Sequence, residues 1–351
     1  MWWVGLAFAM AFAPPFARVV AQGAAPAPAP TLAFEEALDR AADANASVRA
    51  ARLDLATAER ELERVRADPT SLRIALLQAE QAQERAVASL AAATESARDA
   101  AASAYENALQ ADDRVAIAEA ALAIAESLHD AARIRFEAGA ATRLDLERAA
   151  NDVQAAARDL DDARQSRDLA YQRLASQLGD AEAPVALTPA PAPGPVPDLD
   201  QVRSWAEANR TVLAAAHQLA LAEAQATAID VPLTTPRADI EAARDRVDTA
   251  RLNLDEQRRV LDLELQQARN AAVAAAARLQ NADEALATAE EDVRIQRLRF
   301  EAGTVAQLTL AQSELQARRQ RAARTTAEHT LAATLRRLSL LALGAGPGTG
   351  P

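Results

Sequence analysis

The chain has no cysteine, only ten glycines, and aromatic residues at 3% of its 351 positions. Without cysteine there can be no disulfide, no thiolate metal ligand, no cysteine nucleophile and no N-terminal cysteine for lipid attachment. So few aromatics leave alanine to carry much of the 50% hydrophobic fraction. A compact core of ordinary density wants larger side chains, whereas alanine seams let helix backbones approach closely in extended arrays. The only histidines, His129, His217 and His329, are far apart in sequence and lack the paired spacing of a metal site. Acidic and basic residues are plentiful, but no catalytic constellation stands out among them, so no catalytic residue, cofactor or metal is expected. Beyond the N-terminus no apolar run approaches the roughly 20 residues a spanning helix needs. Positive charge is in deficit: net charge is −12 and the isoelectric point about 4.9. That balance argues against a nucleic-acid or anionic-lipid surface.

What is present is the composition of long helices, dominated by Ala, Leu, Arg, Glu, Asp and Gln. Residues 1–21 read as an export signal, with an apolar stretch over 2–12, Pro14-Pro15, and the small-residue sequence Val19-Val20-Ala21 suited to cleavage. The pattern is irregular, since Arg18 comes late and no basic residue precedes the apolar stretch. Residues 22–30 then form an Ala/Pro spacer.

The rest of the chain says the same thing twice. Arg135-Phe136-Glu137-Ala138-Gly139 returns as Arg299-Phe300-Glu301-Ala302-Gly303, 164 residues later. At the same offset Ala44-Asn45 and Val48 return as Ala208-Asn209 and Val212, and Pro69 returns near it as Pro232. Two copies of one helical unit are therefore expected, repeat 1 over 31–179 and repeat 2 over 198–344. A Pro-rich linker, 180–197, joins them, and 345–351 is expected to be a disordered tail.

Each copy has one plan. In repeat 1 a helix over 32–67 stops at Asp68-Pro69, because proline lacks an N–H and clashes with the preceding turn. A long helix over 70–138 follows, free of Pro and Gly and about 100 Å long at 1.5 Å per residue. Gly139 ends it as a left-handed cap. Thr142 and Asp145 then form a capping box that opens a third helix reaching Leu178. Repeat 2 follows suit, with a helix to Asp230, a break over 231–236, a long helix to Ala302, and a last helix to Leu343 for which Thr304 and Gln307 are the capping pair. The first and third helices together match the second in length, so two short helices laid end to end would flank one long antiparallel partner. Ile117, Ala121, Ile124 and Leu128 form one apolar seam on the long helix, and Val115, Ala118, Leu122 and Ala125 form another. Two seams suit a helix touched on both sides, as in the wall of a cylinder. In repeat 2 Leu279, Ala282, Leu286, Ala289 and Val293 give one seam, but the other is polar.

This pattern resembles the TolC family of outer-membrane efflux and secretion ducts. The pieces that carry the likeness are Leu32-Ala33-Phe34-Glu35-Glu36-Ala37-Leu38 with Asn45, both Arg-Phe-Glu-Ala-Gly turns, Leu144-Asp145-Leu146-Glu147, and the terminal Leu178-Gly179 and Leu343-Gly344. The resemblance implies an all-α fold of two tandem repeats of long antiparallel coiled-coil helices, building a periplasmic helical barrel. It implies a homotrimer that conducts solutes passively, with an inner-membrane pump and a periplasmic adaptor as partners and a place in the periplasm or cell envelope. One departure is large. Family members insert a β-hairpin between the first and second helix of each repeat, and those hairpins close the outer-membrane barrel. A spanning hairpin needs two strands of about 9–11 residues; the breaks at 68–71 and 231–236 are too short, and aromatics for interfacial girdles are missing. The transmembrane β-strands are thus expected to be absent, with a separate outer-membrane component as one possible replacement. The competing reading is a structural coiled-coil spacer or scaffold of the cell envelope without transport.

The resemblance also places a tunnel entrance at the two turns: Phe136, Gly139 and Asp145 in repeat 1, Phe300 and Gly303 in repeat 2. The family narrows this entrance with acidic residues after the second turn, where this chain has Thr309 and Gln312. Asp145 could instead supply a ring of three carboxylates in a trimer, although its capping role explains it equally. Phe136 and Phe300 are expected to cover the turns, or to meet an adaptor tip. Trp205 is expected to pack.

Overall fold

The computed structural model describes residues 31–69, 72–180, 186–206, 209–229 and 235–344. The expected export signal and spacer, and the expected tail, lie outside these. The order of elements is β1 (Thr31–Leu32), α1 (Phe34–Ala44), α2 (Ala46–Ala67), α3 (Arg73–Glu137), α4 (Arg143–Leu178), β2 (Ala186–Leu187), α5 (Leu199–Trp205), α6 (Arg210–Ile229), α7 (Arg237–Glu301) and α8 (Gln307–Leu343). The chain is all-α in character, two tandem repeats of long antiparallel helices. The long helices α3 and α7 are each 65 residues, and their first residues are 164 apart. At 1.5 Å per residue each is roughly 100 Å long.

The end-to-end arrangement holds. In repeat 1, α1, α2 and α4 all pack on α3; in repeat 2, α5, α6 and α8 all pack on α7. The connections where the family's hairpins would sit are five residues between Ala67 and Arg73 and seven between Ile229 and Arg237. Among the described residues the strands are β1 and β2, two residues each and paired in parallel. No helix of the described residues is long and apolar enough to cross a membrane.

The expected single first helix is in fact broken in both repeats, and the break has a chemical cause. Asn45 leaves the helical region at φ −68°, ψ 127°, and its side-chain oxygen accepts from the N–H groups of Ser47 and Val48, capping α2. Asn209 accepts from Thr211 and Val212 in the same way. Asn is among the best N-cap residues because its short side chain satisfies N–H groups that have no intrahelical partner. Asn209 does more: 1% exposed, it also donates to the Leu341 carbonyl at 2.9 Å and so ties α6 to the end of α8.

The apolar cores sit within the repeats, at the level where the short helices meet. Repeat 1 packs Leu32, Ala37, Ala41, Ala101, Tyr105, Tyr171, Leu174 and Leu178. Repeat 2 packs Val202, Ala206, Leu261, Leu265, Leu338 and Ala342, with Leu338 at the position of Leu174. Tyr105 is fully buried, with its ring edge-on to Phe34 at 5.3 Å and its hydroxyl donating toward the Leu32 and Thr188 carbonyls at 2.8 and 2.7 Å. Those bonds pin the C-terminal end of the strand pair to α3. Trp205 does not pack as expected: it is 39% exposed, because α5 is only seven residues long and its last turn leaves the ring outside the core.

The two asparagine caps predict an asymmetry in stability. Asn45→Ala removes a cap alone and should cost about 1 kcal/mol. Asn209→Ala also strands a buried carbonyl and should cost about 2–3 kcal/mol. Urea denaturation followed by circular dichroism checks this; equal losses would mean that the Leu341 bond contributes nothing.

Candidate functional site

The two helical turns at one end of the rod are built alike. Gly139 and Gly303 both adopt φ +72°, in the left-handed region. The Gly139 N–H bonds to the Phe136 carbonyl and the Ala140 N–H to Arg135, at 2.9 and 2.8 Å. Gly303 with Phe300 and Thr304 with Arg299 repeat the pair, both at 2.9 Å. This is the Schellman pattern, which closes the last carbonyls of a helix and turns the chain sharply. A Cβ on either glycine would meet nothing within 4 Å, so it is the positive φ, not crowding, that asks for glycine.

The turns differ in how the return helix begins. Thr142 and Asp145 form the full capping box: the Thr142 N–H donates to the Asp145 carboxylate at 3.0 Å and the Asp145 N–H to the Thr142 hydroxyl at 3.2 Å. The Thr142 hydroxyl and N–H both donate to this carboxylate, and they hold its pKa below the usual carboxylate range. Repeat 2 has no such box. The cap of α8 is Ala306, with no side-chain bond, and Thr304 instead donates its hydroxyl back to the Arg299 carbonyl. The expected Thr304–Gln307 pair is therefore corrected. Ala306 stands where repeat 1 has Thr142, and Thr309 where it has Asp145, so the duplicated turn has lost both capping side chains.

Neither tip phenylalanine is buried: Phe136 is 41% exposed and Phe300 40%. Ile134 and Leu144 beside the first, and Leu298 beside the second, are exposed as well. The tips thus present apolar side chains to their surroundings, with Asp145 held in a fixed orientation next to them.

The repeats meet along a second feature, which sequence reading missed because its partners are more than 130 residues apart. Besides its own repeat, α3 packs against α8 and α6. Arg336 of α8 donates to Glu106 at 2.8 and 2.9 Å and to Asp99 at 2.8 Å; the Glu106 side chain is 7% exposed. His329 Nδ1 meets the Gln110 amide at 3.1 Å. Further along, Gln81 donates to the His217 carbonyl, and His217 Nε2 lies 2.7 Å from Glu84. Apolar clusters hold each repeat together, while these polar contacts stitch one repeat to the other.

Residues 67–180 match the family model "Outer membrane efflux protein". The resemblance to the TolC family holds. Solved structures with this fold include a membrane protein from Pseudomonas aeruginosa, 18% identical, covering 91% of both chains with a TM-score of 0.63. The Campylobacter jejuni CmeC outer membrane channel is 12% identical over 89% of this chain and 86% of its own, TM-score 0.62. The open state of the Neisseria gonorrhoeae MtrE outer membrane channel is 18% identical over 89% of both, TM-score 0.58. At these identities the likeness is one of fold. No curated protein matches the chain in sequence. The TolC-like matched segment runs from the end of α2 through α3 and α4, and so contains the tip with Phe136, Gly139 and Asp145.

The seam predicts a pH dependence. Burial holds His329 below the ordinary histidine range, against the pull of Glu106, Glu328 and Asp113; Arg336 reinforces the lowering. A histidine kept neutral in the folded chain contributes stability that is present above its unfolded pKa of about 6.5 and lost as pH falls through the lower folded value. Asp113, raised by burial and by neighbouring Asp112, acts with the opposite sign, its contribution fading as pH rises from the carboxylate range. The urea midpoint should therefore fall between pH 7 and 5, and His329→Gln should flatten that limb. An unchanged slope in the variant would remove His329 as its source.

Proposed function

We propose that the chain is one subunit of a trimeric tunnel in the cell envelope, which passively conducts solutes delivered by an inner-membrane pump through a periplasmic adaptor. The observation that carries this is the inequality of the two long helices. α3 is contacted by α1, α2 and α4 of its own repeat and also by α6 and α8 of the other. By contrast α7 packs on its own short helices along Ala243, Leu254, Leu261, Leu265 and Ala272, and leaves Leu252, Val260, Leu263 and Val273 exposed. At the other edge Leu53 and Leu169 are exposed on α2 and α4. A wall of helices with an apolar row on each open edge is completed when one edge meets the other in a second copy. Three copies would close a cylinder, as the TolC likeness implies. The named channels with this fold, CmeC and MtrE, are outer membrane channels by description, and this supports export and an envelope location for the present chain. With five and seven residues at the hairpin positions, the tube would reach the outer membrane through a separate component.

At its entrance, Phe136 and Phe300 would offer an apolar contact for an adaptor, and Asp145 a carboxylate ring. The spacer reading, with the same helices and no lumen, needs only one buried flank per long helix; α3, in contact with both repeats, weighs against it.

Light scattering of the mature protein in detergent-free buffer tests closure. A mass near three times that of one chain is expected, and a monomer or dimer with full helicity would sink the autonomous tube. The ring has its own test, independent of the cap, because Asp145→Asn keeps an acceptor for the Thr142 N–H while removing the charge. In reconstituted pores this variant should weaken block by divalent cations; block identical to the parent would leave Asp145 as a capping residue only.

A further inference from the structure

Duplication creates a pairing problem that the described charges address. The α1/α2 segment must dock on α3 and the α5/α6 segment on α7, yet the two long helices are 65 residues each and descend from the same unit. The wrong partner is within reach, since α6 already touches α3 as well as α7. Asp39 of α1 accepts from Arg98 of α3 at 2.7 Å. The residues 164 positions on are Arg203 and Asp262, and they also form an ion pair, at 2.7 Å, with the charges exchanged. Arg66 of α2 pairs with Glu80 of α3 at 3.1 Å. Their counterparts at the same offset are Asp230 and Arg244, again exchanged, although Asp230 lies outside the described residues.

We propose that this reversed polarity is a pairing code which directs each short-helix segment to the long helix of its own repeat and away from that of the sister repeat, in the same chain or in a neighbouring copy. Were α5 to dock on α3 in the manner of α1, Arg203 would face Arg98. Docking α1 and α2 on α7 would set Asp39 against Asp262 and Arg66 against Arg244. All three exchanged contacts are like-charged. The described native pairs are exposed, and each contributes little to stability on its own. Selectivity works differently, because a wrong docking both loses the attraction and gains a repulsion.

The experiment uses the full chain. In the variant D39R/R98D/R66D/E80R both repeats carry the same polarity while the Asp39–Arg98 and Arg66–Glu80 pairs are kept in reversed form, at the cost of the weak contact between Arg98 and Glu95. Its thermal midpoint should stay close to the parent's, but refolding from urea by dilution should give about threefold less native species by size-exclusion chromatography. Salt at 1 M, where screening extends only about 3 Å, should narrow that gap. Inverting repeat 2 as well, by R203D/D262R/D230R/R244D, makes the polarities differ again and should restore the parental yield. Parental yield from the first variant would overturn the proposal. So would failure of the doubly inverted chain to recover, which would mark the pairs as local stabilisers whose particular orientation matters.

Discussion

Everything in this fold hangs on helices too long to stand alone. A helix of 65 residues made largely of alanine and charged side chains buries little per turn, and it persists only where a neighbour lies along it. In repeat 1 that neighbour is assembled from pieces: α1 and α2 along the first part of α3, α4 along the rest. The weak point of such a design is the joint where pieces meet. There the chain concentrates its large side chains, Tyr105, Tyr171, Leu174 and Leu178, and there it anchors the β1–β2 strand pair. Asp112 reinforces the joint from below, accepting from both Arg167 and Tyr171 at 2.6 Å. Burial, then the bond to this carboxylate, pushes the Tyr171 hydroxyl up to about 12, so it remains a donor throughout the neutral range.

Within repeats an apolar core carries the contact, with ion pairs along its exposed flanks; between repeats the buried contacts of Arg336, Glu106 and His329 are polar and partly charged. The difference has a physical consequence. An apolar alanine seam is tolerant of small sliding, because one methyl replaces another. A guanidinium held by two carboxylates, as Arg336 is by Glu106 and Asp99, is satisfied in one register only, and leaving Glu106 buried without its partner would be strongly unfavourable. The seam between α3 and α8 therefore fixes the height of one repeat against the other.

Much of this was legible in the residues. The Arg-Phe-Glu-Ala-Gly turns and the 164-residue offset gave the duplication, and Pro69 and Gly139 marked real ends of helices. The breaks at Asn45 and Asn209 were readable in principle, yet no proline or glycine flags them. An asparagine inside a helical pattern announces a cap only when the next turn is known to restart. The mistaken cap at Thr304 has a simpler origin. Thr304 is the threonine nearest the turn, but at the 164-residue offset Ala306 is the counterpart of Thr142. The contacts of Arg336, His329 and His217 with α3 were not legible at all, because nothing local to a residue names a partner more than 130 positions away.

The loss of the box in repeat 2 also bears on what the tip can do. An N-terminus capped by Thr142 and Asp145 has the N–H groups of those two residues satisfied by each other's side chains and carries a fixed negative charge. An N-terminus begun by Ala306 has its Thr309 N–H on the Ala306 carbonyl but no capping side chain and no acidic residue in its first turn, so the positive end of the helix dipole is uncompensated. Two turns of the same backbone geometry and the same half-exposed phenylalanine are thus electrostatically unlike, one capped and acidic, the other without capping side chain or acidic charge. In any assembly where they alternate, the rim at that end would present both kinds of surface in turn, and a partner docking there would have a means of telling one repeat from the other.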